Sequence, residues 1–134
     1  MLNLNIIEMP EPVSNTSLDT VYLVDDSDKN VILEVVIAAA GQAAISSVML
    51  DSLTLYKNYP GTYSERPLGS NKFLHGKTLK IVAFISDTVK ETNIIEMNLR
   101  LRGGLGLRQY ALTKKFGAGG GSLFYIALIE FFKA

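Results

Sequence analysis

The chain has 134 residues, 48% of them apolar and 19% charged, with no cysteine and a single histidine. The length fits one domain, spanning 1–134, with a real hydrophobic core, and the apolar content is too high for a disordered chain. The missing cysteines exclude disulfides, thiolate metal sites and a cysteine nucleophile, while a net charge of zero gives no reason to expect nucleic acid as a partner.

That zero hides a split. Residues 1–65 hold nine acidic residues against two basic, a balance of −7, and residues 66–134 hold eleven basic against four acidic, a balance of +7. Two arrangements accommodate it. Strands from the two halves interleave and pair their charges across neighbours, or the molecule is dipolar and stacks head to tail on further copies.

The start, Met1 to Glu8, has no basic region and no apolar stretch of signal-peptide length, which points to the cytoplasm, with export by another route left open. Asn3–Met9 is a short apolar run ended by Pro10 and Pro12, and Glu11–Asp19 is polar and loop-like. Val21–Val24 and Val31–Ala38 flank an Asp25-Asp26-Ser27-Asp28-Lys29-Asn30 segment that suits a hairpin. Ala43–Tyr56 has alanines that suit a helix, but its Ser-Ser-Val and Leu-Thr-Leu-Tyr pieces favour a strand. Lys57–Lys77, with two prolines and several glycines, reads as a long irregular stretch. Thr78–Ser86 is β-rich.

Ile95–Arg102 alternates cleanly, with Ile95, Met97, Leu99 and Leu101 on one side and Glu96, Asn98, Arg100 and Arg102 on the other. Gly103–Gly106 turns it into Arg108–Phe116, and Gly117–Ser122 leads into the last strand, Leu123–Phe132. That strand is apolar on both faces. One carries Leu123, Tyr125, Ala127, Ile129 and Phe131; the other carries Phe124, Ile126, Leu128 and Phe132 with Glu130. Both faces need cover, and a chain of this size has one core to offer. The pattern as a whole predicts an all-β fold, an antiparallel β-sandwich of seven to eight strands.

Chemistry is sparse. The glycine runs lack the Lys and hydroxyl residue of a phosphate loop, and a strand follows where a helix is needed, so hairpin loops explain them better. Asp25, Asp26, Asp28 and Asp87 are weak candidates for a calcium site at one end of the sandwich, as in C2-like modules. Aspartates in a turn also occur for local hydrogen-bonding reasons. His75, the lone histidine, excludes a histidine-rich metal site and reads as a solvated loop residue. No acidic pair stands in the aromatic setting of a sugar cleft.

The 57–77 stretch mixes Tyr59, Tyr63 and Phe73 with Lys57, Arg66, Lys72 and Lys77. It is either a stacking surface or, more simply, a segment packing its aromatics over the sandwich edge. The expectation is a non-enzymatic structural subunit without cofactors. It would associate with copies of itself or another protein through Phe124, Ile126, Leu128 and Phe132, with Arg100 and Arg102 carrying the charge-dependent part. The alternative is a C2-like ligand- or membrane-binding module that uses loops at one end.

Overall fold

Strands dominate because β-branched, aromatic and alternating residues recur along the chain. The computed structural model describes residues 13–37, 42–87, 94–115 and 121–134. The Asn3–Met9 run, Ala38–Gly41 and Gly117–Gly120 lie outside them. Nine strands form two sheets: β1 (Val13–Val24), β2 (Asn30–Ile37), β3 (Gln42–Leu50), β4 (Leu53–Pro60), β5 (Tyr63–Ser70), β6 (Thr78–Asp87), β7 (Ile94–Gly104), β8 (Gly106–Lys115) and β9 (Ser122–Lys133). A four-residue helix, α1 (Asn71–Leu74), joins β5 to β6. The five-stranded sheet runs β1-β9-β6-β3-β4, and the four-stranded sheet runs β5-β2-β7-β8. The all-β sandwich stands, with one or two strands more than expected.

The extra strands come from two segments. Ala43–Tyr56 is not one strand but the start of a β3–β4 hairpin that breaks at Asp51, whose φ is +50°. The irregular stretch at 57–77 contains the end of β4, all of β5 and the helix. Within the polar Glu11–Asp19 segment, the described part from Val13 on is likewise not a loop but the start of β1.

Two expected hairpins are absent. β1 and β2 belong to different sheets, so residues 25–29 cross between layers, and β8 and β9 are similarly divided. β1 pairs instead with β9 and runs parallel to it along its whole length. Strands from opposite ends of a chain carry no hairpin constraint, which leaves the parallel direction open to them.

The core is the meeting of the two inner faces. Ile95, Met97, Leu99 and Leu101 of β7 are fully buried, as are Val31, Leu33 and Val35 of β2. Opposite them lie Leu123, Ala127, Ile129 and Phe131 of β9 with Leu79, Ile81 and Ile85 of β6. The period-two readings of β7 and β9 therefore hold residue by residue.

One end of the sandwich is tied by two buried polar side chains. The Tyr22 hydroxyl of β1 accepts from the Gly104 amide at 2.9 Å and donates to the Gly106 carbonyl, so it grips the β7–β8 turn in the other sheet. Asn71, fully buried, donates through Nδ2 to the carbonyls of Lys29 at 2.7 Å and Gly103 at 2.8 Å, and its Oδ1 accepts from the Asp25 amide at 3.2 Å. These contacts explain Gly103 and Gly104 as close-approach positions, not as a loose loop. A Cβ at Gly103 would stand 2.1 Å from the Asn30 carbonyl oxygen, and one at Gly104 would stand 2.5 Å from the Tyr22 ring. Gly103 also has φ +98°, where side chains are strained.

The charge split resolves into interleaving. Arg100 pairs with Glu34 at 2.9 Å, Arg102 with Glu65 at 3.0 Å, and Lys133 with Asp26. Each of these pairs, the ones found among the described residues, joins the acidic half to the basic half.

Leu99→Ala and Ile129→Ala are each expected to destabilise the fold by roughly 2–5 kcal/mol, as buried large-to-small changes do. Arg100→Ala, in a partly solvated pair, should cost only about 0.2–1 kcal/mol. Urea unfolding of the three variants checks the contrast; equal losses would mean that the inner and outer faces of β7 are wrongly assigned.

Candidate functional site

The two outer faces of the sandwich differ in chemistry. On the four-stranded sheet the centre of the face carries a polar network, beside Ile32, Val36 and the exposed Leu107. Arg100 bonds Glu34 and, through Nε, Gln109 Oε1 at 3.2 Å; Gln109 Nε2 in turn donates to Asn98 at 3.1 Å.

On the five-stranded sheet the face is built around β9. Residues in register form rows across β1, β9, β6 and β3. The first row is Asn15, Phe124, Phe84 and Ile45; the second is Ser17, Ile126, Val82 and Ser47. The third is Asp19, Leu128, Lys80 and Met49. Val21, Glu130 and Thr78 follow, and Leu23 lies beside Phe132. The first two rows make a continuous apolar patch. Ile45 is 48% exposed and Phe84 42%, while Phe124 and Ile126 are half-buried. A shallow groove of about 290 Å³ runs along the β1 side of β9, lined by Asn15, Thr16, Ser17, Phe124 and Ile126. Asp19 and Lys80 flank the row below, and neither is in an ion pair among the described residues.

The sequence-level interface residues thus separate. Phe124, Ile126, Leu128 and Phe132 share the outer face of the five-stranded sheet. Arg100 and Arg102 stand on the opposite side of the molecule, engaged with Glu34 and Glu65. Pattern alone had given the right face of β9 but could not place β7 in the other sheet. Phe84, Ile45 and Lys80 were missed, because β6 and β3 join this face only through long-range pairing.

The other candidates also have structural employment. The Asp25 carboxylate accepts from the Ser27 amide at 2.8 Å, and hydrogen bonds from the Ser27 hydroxyl first and this amide second lower its carboxyl from the ordinary value. Asp26 is paired with Lys133. Among the described residues no three acidic or histidine side chains gather as a metal-binding group, and the Asp87 side chain lies outside them. His75 is more than a solvated loop residue. It follows α1, its Nδ1 accepts from the Lys133 amide at 2.9 Å, and its ring meets Phe132 edge-on at 5.6 Å.

The aromatics of 57–77 pack at the sandwich edge. Tyr56, Tyr59 and Tyr63 form an edge-to-face trio with centroids 4.6–6.0 Å apart, and Arg66 lies 5.3–6.0 Å from all three rings. Tyr63 is fully buried, and among the described residues its hydroxyl makes no hydrogen bond of good geometry, with the Tyr56 phenol its polar neighbour. Phe73, by contrast, is exposed, with the Lys77 ammonium 4.5 Å above its ring.

Comparison with protein-family models, with curated proteins and with solved structures returned no match. Among the described residues no helix is long and apolar enough to cross a membrane.

Burial pushes the phenols of Tyr63, Tyr22 and Tyr125 above their ordinary value of 10.0, and the Tyr56 phenol adds to the shift at Tyr63. A raised phenol favours the folded state while it stays protonated. That contribution is complete below pH 10.0 and is lost as pH climbs through the raised values. Thermal melts should therefore fall steeply above pH 10.0, and Tyr63→Phe should make the fall shallower. An unchanged slope in the variant would mean that Tyr63 is reached by water.

Proposed function

We propose that this protein is a non-enzymatic structural subunit that self-associates through the outer face of its five-stranded sheet. One observation carries the reading. The face holds neighbouring apolar side chains of Phe84, Phe124, Ile126, Val82 and Ile45, while the centre of the opposite face is occupied by Arg100, Glu34, Gln109 and Asn98, hydrogen-bonded to one another. Large apolar patches on a surface mark interaction sites. Each Leu, Ile or Phe fully buried gains about 1.5–3 kcal/mol. A symmetric contact buries each such residue twice, which is the scale needed against an association cost of about 4–15 kcal/mol.

Edge-to-edge growth of the sheet is the less suitable route. β4 closes one edge with Lys57, Pro60 and register irregularities against β3, and β1 places Asp19 at the other. The C2-like alternative draws no support from the end loop at 25–29, where Asp25 caps the turn and Asp26 is paired.

Size-exclusion chromatography with light scattering tests the proposal. The wild type should elute above monomer mass. Phe84→Ser with Phe124→Ser should elute as a monomer whose circular dichroism keeps its β signature. A wild type that stays monomeric at high concentration contradicts the proposal.

A further inference from the structure

Two complementarities on the outer face are arranged about the same line. Phe84 stands on the β6 side of Phe124, and the groove lined by Asn15, Ser17, Phe124 and Ile126 lies on its β1 side, at the same level. Four residues further along β9, Lys80 flanks Leu128 on the β6 side and Asp19 flanks it on the β1 side. Lys80 and Asp19 lie one strand spacing, about 4.8 Å, to either side of β9, and the groove lies between β9 and β1 and reaches from the Phe124 row to the Ile126 row.

A two-fold axis along β9, in the plane where two such faces meet, exchanges the two sides and keeps the level. It sets Phe84 of one copy over the groove of the other. It sets Lys80 of one copy over Asp19 of the other, twice. An axis across the strands keeps the side and reverses the level; passing through the Leu128 row it stacks Lys80 on Lys80 and Asp19 on Asp19, and at any other level it brings neither complementarity into register. A head-to-tail contact uses each complementarity only once.

Resting on the self-association reading above, we infer that the assembly is an isologous dimer whose two-fold axis runs along β9, with Phe84 seated in the partner's β1–β9 groove and Lys80 paired with the partner's Asp19. The occupant is a second copy because the knob and the hole, and the cation and the anion, are both on this one surface. The axis also sets Glu130 level with its counterpart. Glu130 lies four residues, about 13 Å, beyond Ile126. Among the described residues this is the one like-charge approach near the axis, at the end of the contact, against two Lys80–Asp19 attractions nearer its centre.

Charge reversal tests the arrangement by sedimentation velocity. Lys80→Asp alone brings Asp against Asp, and Asp19→Lys alone brings Lys against Lys. Each should raise the dissociation constant roughly tenfold or more, since like charges across an interface are strongly disfavoured. An equal mixture of the two variants should form a heterodimer at wild-type strength, because every cross-copy pair is then attractive. Circular dichroism verifies that each variant is folded. Should a charge variant fail to fold, Leu128→Cys decides the matter. This residue lies on the axis, and the chain has no other cysteine, so a short bismaleimide should link the two copies.

A wild type that dimerises but is indifferent to both reversals overturns the two-fold arrangement and leaves self-association standing. So does a mixture that gains no affinity, or a Leu128→Cys variant that does not cross-link. A wild type that is monomeric throughout overturns both.

Discussion

The structure depends on β9 being hydrogen-bonded along both edges, parallel to β1 and antiparallel to β6. An inner strand cannot turn its side chains away from either layer. Leu123, Ala127, Ile129 and Phe131 therefore supply the floor of the core, and Phe124, Ile126, Leu128 and Phe132 are driven to the outer surface whatever their hydrophobicity. Tyr22 and Asn71 then fix the end of the sandwich, since each satisfies backbone groups that the layer crossings leave open. The apolar outer row of β9 follows from its position in the sheet, not from loose packing.

How much of this was legible in the chain depended on how local the signal was. β7 could be read because one of its faces is core and the other is solvated, so the alternation is undiluted. β9 could be read for a different reason: its run is apolar almost throughout, so it stands out as a strand and the parity of its positions sorts the two faces. The first part of β1 was missed, and only its end at Val21–Val24 was read, because an edge strand tolerates Ser, Asn and Thr where a central strand would carry Val or Ile. β5 was missed because Pro67 and Gly69 argue against a strand, yet an edge accepts them. The crossing at 25–29 imitates a hairpin, since its turn chemistry is local, while Asn71, which holds it to α1 and the β7–β8 turn, lies more than forty residues away.

The candidate site divides along the same line. The face of β9 was visible in its own ten residues. Its neighbours Phe84, Lys80 and Ile45 were not, because sheet order is set by long-range pairing. Arg100 and Arg102 were grouped with β9, although they lie on the other sheet, because alternation shows which residues point outward but not on which sheet. Their engagement with Glu34 and Glu65 absorbs much of the charge split within one molecule and leaves Lys80 and Asp19 as charges without an internal pair among the described residues.

The account rests on the outer face of the five-stranded sheet being covered by another copy. Hydroxyl-radical footprinting across a dilution series reads that cover side chain by side chain. Phe84, Phe124 and Leu128 should become protected as concentration rises, while Leu107 on the four-stranded sheet, 62% exposed, should label equally throughout. Labelling of Phe84 and Phe124 that does not change with concentration would contradict the account.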